Sequence, residues 1–162
     1  GPRAHAKENK ENPCFLCSRL RRMAIFEKAA ELKCNKIAFG HHKDDFIETF
    51  FLNLFFAGSI DTIQPVQELF KGKLTIIRPF YLLNKNSIKR YADEMGFPVI
   101  DNGCPTARSS KRMQIRSMLL NLYKTNKKIK GNIFHALMKN LLLTADHYPS
   151  MLLDIHRKTV NG

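Results

Sequence analysis

Acidic side chains are scarce in this 162-residue chain, where 14 Asp and Glu stand against 27 Lys and Arg for a formal charge of +13. That shortage disfavours cationic partners and favours a polyanion, because each Lys or Arg that meets a phosphate releases counterions. A basic but merely solvated surface is the competing reading. Long apolar runs are missing too. The richest stretch, FIETFFLNLFFAG, carries Glu48 and Asn53 and does not read as a membrane span. The polar start, GPRAHAKENKEN, has no apolar signal core, so a cytoplasmic protein without a membrane is expected. It also lacks an initiator Met, and Gly-Pro is what remains when a tag is cleaved; residues 1–12 read as a flexible tail or such a remnant. Only four cysteines occur, and without a secretion signal they read as thiols or metal ligands, not disulfides.

What is present is a globular composition, 44% hydrophobic and 25% charged, of a size to bury one core. Apolar residues recur at helical spacing from Cys17 to Leu32. Lys36–Gly40 (KIAFG) reads as a short buried strand, and the helix after it, from about Asp44 to Ala57, is apolar nearly all round and so expected to be central. Two strand-like runs around Lys71-Gly72-Lys73 predict a hairpin. NKNSIKRYADEMGF predicts a helix capped by Asn or Ser and closed by Gly96, followed by a short strand PVI. Further helices are predicted from Ser110 to about Lys124 and over NIFHALMKNLLL. The order of elements gives an α/β domain with a helical C-terminal part.

Three groups of residues can carry chemistry. GHHKDDFIET lies where a strand ends and a helix begins, the place where open α/β sheets bind ligands. Asp44 and Asp45 fall in the first helical turn, whose positive end favours their ionised form; there they can hold the Mg²⁺ of a nucleotide or orient a nucleophile. The plainer reading has Asp44 capping the helix and His41 packing. Cys14 and Cys17, placed just before a helix, form a CxxC, and Cys104 sits in a Gly-Pro loop; Cys34 reads as a buried small hydrophobe. Three thiolates suit an iron–sulfur cluster with one open iron, or zinc completed by a histidine. The basic residues gather as Arg19, Arg21 and Arg22, as Arg108, Lys111, Arg112 and Arg116, and as Lys124, Lys127, Lys128 and Lys130. The first two groups flank the cysteine segments, as a surface guiding a phosphate backbone would.

Together these segments resemble the PP-loop ATP pyrophosphatase superfamily, in its tRNA 2-thiocytidine synthetase-like branch of iron–sulfur tRNA thiolases. PCFLCSRLRR is similar to that branch's CxxC segment and IAFGHHKDDFIETFFLNLFF to its GHHxDD helix. NGCPTARSSKRMQIRSML is similar to its third-cysteine loop, and NIFHALMKN with HYPSMLLD to its C-terminal end. The resemblance implies an adenine-nucleotide α-hydrolase-like, Rossmann-like parallel sheet. It implies that Mg-ATP adenylates a tRNA base and that sulfur then replaces the activated oxygen. By position Cys14, Cys17 and Cys104 match the ligands of a [4Fe-4S] cluster, and Asp44 and Asp45 the acidic pair beside the nucleotide. Gly40, His41 and His42 belong to the same nucleotide-binding turn, and Arg21 matches a basic position near the reacting centre. Arg19, Arg22, Arg108, Lys111, Arg112 and Arg116 are then expected to face tRNA. A sulfur donor is a second implied partner, and a homodimer a further expectation. The family's SGGxDS loop, which binds the ATP pyrophosphate, is not in this sequence. Residues 13–154 are therefore expected to be the C-terminal portion of a PP-loop ATPase-like domain, with 155–162 a tail, and whether this chain alone is an enzyme stays open. The alternative is a non-catalytic tRNA-binding or zinc-stabilised module derived from that scaffold.

Overall fold

Pro13 opens the first helix, α1 (Pro13–Glu31), where its missing N–H would have no intrahelical partner in any case. The computed structural model describes residues 13–98 and 110–144. The two tails, the end of the PVI strand, and the loop with Cys104 and Arg108 lie outside the described residues. Cys14 and Cys17 do not precede the helix, as the sequence reading had it, but form its first turn. The apolar periodicity missed this turn because Cys14 and Phe15 are exposed. The helix ends with Lys33 in the left-handed region, at φ 54°. There the Cys34 N–H donates to Ala29 O at 2.8 Å and the Lys33 N–H to Ala30 O at 3.0 Å, a Schellman closure. Cys34 thus serves through its backbone, and its side chain is exposed, not buried as expected.

The sheet has three strands in the order β1-β3-β2. Strand β1 (Lys36–Ala38) runs parallel to β3 (Leu74–Ile77), with Ile37 opposite Ile76. Strand β2 (Val66–Leu69) pairs antiparallel with β3, Val66 opposite Ile77 and Leu69 opposite Leu74, as the predicted hairpin requires. Phe70, Lys71 and Gly72 all take positive φ in the turn, and only Gly72 does so without a side-chain penalty. The expectation that β1 is buried fails. It has one strand neighbour among the described residues, and Lys36 and Ala38 are exposed while Ile37 is half-buried.

Helix α2 (Lys43–Ala57) packs its first half most deeply. Phe46 and Ile47 are fully buried, as Leu74 and Ile76 of β3 nearly are, whereas Leu54, Phe55 and Phe56 at the far end are exposed. The all-round apolar pattern is therefore central in only half its length. Helix α3 (Lys85–Glu94) starts at the Asn84 cap and closes at Gly96, φ 64°, with Phe97 N–H on Ala92 O at 3.0 Å. Helices α4 (Lys111–Thr125) and α5 (Ile129–Thr144) complete the described residues. The chain divides into two compact units, the first ending at Met118 and the second starting at Leu119, so the boundary falls inside α4. The first unit buries Ala29, the α2 and β3 residues and Ile115; the second buries Leu119, Phe134, Leu137 and Met138.

Candidate functional site

The exit of β1 passes directly into α2 through Gly40, His41 and His42. Phe39 N–H still bonds Ile77 O at 2.9 Å, so the chain leaves the sheet only at Gly40. A Cβ on Gly40 would meet no atom within 4 Å, so the space around it is open. His42, not Asp44, is the N-cap residue. Its backbone N–H donates to Asp45 Oδ2 at 3.0 Å. Asp44 turns the other way and accepts the Lys85 N–H at 3.0 Å, while Lys43 N–H donates to Leu83 O at 3.0 Å. The start of α3 is thus stitched to the start of α2. His42 Nδ1 lies 3.3 Å from Asp45 Oδ2 and 3.7 Å from Asp44 Oδ2 but makes no hydrogen bond to either. Among the described residues it is the only buried side-chain nitrogen or oxygen left in that condition.

Arg78, the residue after β3, is buried at 6% exposure. Its Nε donates to His41 Nδ1 at 3.3 Å, Nη2 to Gln67 Oε1 at 3.4 Å, and Nη1 to Gln64 O. Its backbone N–H bonds Pro65 O at 2.9 Å. One guanidinium therefore joins the β1 exit to the approach and body of β2. His41 titrates below the ordinary histidine range, chiefly because it is half-buried and then because of Arg78. Asp45 opposes the shift, and Arg112 and Arg21 add to it.

Glu48 is nearly fully buried, and two arginines of α4 close on it. Arg116 Nε donates to Oε1 at 2.7 Å and Nη2 to Oε2 at 3.1 Å, a two-pronged bond that keeps Arg116 charged beyond its usual range. Arg112 Nη1 reaches Glu48 Oε2 at 3.2 Å and Asp45 Oδ1 at 3.3 Å, and its Nη2 reaches Thr49 Oγ1 at 3.2 Å. Both arginines, expected from the sequence to face RNA, are thus engaged by carboxylates of α2. Lys111 lies over the Phe56 ring, 4.6 Å from its centroid.

Sequence reasoning missed Glu48 and Arg78 as members of this site. The signal was present in both cases as a charge inside an apolar run, which folded proteins rarely leave unpaired. Cys14, Cys17 and Arg21 sit at i, i+3 and i+7 on α1, which puts them on one face of the helix. Arg21 makes the least of the charge contributions at His41. Cys14 is exposed and Cys17 half-buried. Two thiols one turn apart can share a metal, although no group of three His, Cys, Asp or Glu that could hold one occurs among the described residues. Arg19 and Arg22 are exposed on α1. No described helix is long and apolar enough to cross a membrane.

A strand end feeding an acidic helix start is the arrangement at which open α/β sheets bind ligands. Residues 6–123 match the PP-loop domain family, and the chain belongs to it. The chain is 41% identical over 125 residues to the tRNA-cytidine(32) 2-sulfurtransferase of Alkalilimnicola ehrlichii, a match covering 76% of this chain and 40% of that protein. It is 39% identical over 150 residues to the tRNA-cytidine(32) 2-sulfurtransferase of Ralstonia pickettii, covering 92% and 45%. The chain thus spans less than half the length of these relatives. Its fold is similar to that of the U34-tRNA thiolase NcsA from Methanococcus maripaludis with its [4Fe-4S] cluster, at a TM-score of 0.65 and 22% identity, over 83% of this chain and 45% of that one.

Proposed function

We propose that this chain is the part of an ATP-dependent tRNA thiolase that joins the thiol pair to the activated nucleotide. The observation that carries the reading is the strand end itself, where Gly40, His41 and His42 deliver Asp44 and Asp45 into the first turn of α2, together with the one helical face that Cys14, Cys17 and Arg21 share on α1. The relatives' activity and the fold shared with an iron–sulfur thiolase point the same way. In this reaction the base oxygen attacks the α-phosphate of ATP and pyrophosphate leaves; sulfur then displaces AMP from the activated carbon. Gly40, His41 and His42 contact the nucleotide, and Asp44 and Asp45 meet it through its Mg²⁺. Arg21 faces the negative charge that develops at the reacting centre. Cys14 and Cys17, with Cys104, hold a [4Fe-4S] cluster, which when bound supplies an iron site for the incoming sulfur. Arg19, Arg22, Arg108 and Lys111 provide the tRNA-facing charge, and residues 13–154 form the C-terminal portion of the complete PP-loop domain.

Anaerobic incubation of the chain with ferrous iron and sulfide tests the thiol assignment. Broad thiolate-to-iron absorption, with matching iron and sulfide, is expected for the parent chain and for Cys34→Ala, and its loss for Cys17→Ala. Bound zinc without that absorption contradicts the cluster and supports a zinc-stabilised module.

A further inference from the structure

Arg78 occupies a position that neither motif reading nor kinship assigns, yet its guanidinium bonds His41 in the turn that follows β1. An arginine Nε always carries its proton at physiological pH, so in the 3.3 Å contact His41 Nδ1 is the acceptor. A neutral imidazole accepting at Nδ1 must bear its hydrogen on Nε2. The guanidinium cannot easily rotate out of this arrangement. Gln64 O and Gln67 Oε1 take its other nitrogens, and the backbone of Arg78 is tied to Pro65. We infer that Arg78 is a positioning residue that fixes His41 as an Nε2–H hydrogen-bond donor, so that His41 offers a ligand a proton to share and not a base.

The consequence is chemical. A donor suits an anionic oxygen, such as the phosphate of a bound nucleotide, and rules His41 out as the group that removes a proton from substrate. This last step rests on the nucleotide reading given above, whereas the tautomer does not. Among the described residues the charges facing His41 come from Arg78 beyond β3, Asp45 on α2, Arg112 on α4 and Arg21 on α1; burial and the three arginines disfavour the imidazolium, and Asp45 opposes them. The tautomer is therefore expected to be populated at neutral pH.

Long-range proton–nitrogen correlation spectra of the ¹⁵N-labelled chain test this, with the His41 ring assigned through His41→Gln. An unprotonated Nδ1 and a protonated Nε2 are expected in the parent chain; a proton on Nδ1 overturns the inference. Arg78→Lys keeps the charge but loses the fork, and in it the two tautomers are expected to mix; an unchanged tautomer in a folded Arg78→Lys chain refutes the positioning role. Should Arg78→Lys fail to fold, the parent spectrum still decides. Adding AMP is expected to move the Nε2–H resonance. Failure of that shift alone defeats the donor's contact with nucleotide and leaves the tautomer assignment standing.

Discussion

Single residues here carry measurable linkage to pH and to neighbouring charge. Because His41 titrates below its ordinary value of 6.5 when folded, the unfolded chain takes up the proton first as the pH falls. Its contribution is complete above about pH 6.5 and is lost as the pH drops towards the folded value. His41→Gln is accordingly expected to flatten the loss of urea stability below neutrality relative to the parent; parallel curves contradict this. Glu48 poses a larger stake. Arg116→Met leaves a buried carboxylate with only Arg112, for an expected loss of about 3 kcal/mol, while pairing it with Glu48→Leu is expected to recover much of that. Urea titration of the two variants and the double variant checks it. Neither Glu48 nor Arg78 was legible as a site residue in the sequence, where each is one charge in an apolar run. What a buried charge pairs with is set by elements distant in the chain, such as the 64- and 68-residue separations of Arg112 and Arg116 from Glu48.

At the scale of elements, local chemistry was readable and strand environment was not. The hairpin about Gly72 and the closure at Gly96 both follow from backbone conformations that glycine alone adopts cheaply, and both stand in the structure. The position of β1 depends on which strands flank it, and a five-residue apolar run looks the same in the middle of a sheet as at its edge. The start of α1 was likewise hidden, since CxxC reads equally as a knuckle or as one exposed helical turn. Lys33 shows where element-level gain remains. A lysine at φ 54° bears the cost of the left-handed region, so Lys33→Gly is expected to stabilise the chain by about 1 kcal/mol in thermal or urea unfolding. A loss of stability would mean that the closure by Cys34 and Lys33 N–H groups does not hold α1 in place.

For the whole molecule, the formal charge of +13 sets how it meets a polyanion. Arg112 and Arg116 are unsuitable probes of that surface, because changing them breaks the bonds between α4 and α2. Arg19 and Arg22 are exposed on α1, so Arg19→Glu with Arg22→Glu is expected to weaken tRNA binding. The log–log salt slope is expected to fall by about two units, one for each lost phosphate contact. An unchanged slope in an electrophoretic shift or filter-binding series removes these residues from the interface. The α/β class and the order of the chemical segments were legible because each segment is contiguous in sequence. Whether the thiol face of α1 lies against the strand end was not, since that depends on how a helix and a sheet pack. The proposal that it does is the centre of the account, and one spectrum addresses it. The unpaired electron of a reduced cluster broadens the signals of nuclei close to it. In the chain loaded with iron and sulfide and then reduced, the His41 ring signals are predicted to broaden, and to stay sharp in Cys17→Ala treated identically. Sharp, unshifted His41 signals in a chain that carries its cluster would contradict the proposal that thiols and nucleotide turn form one site.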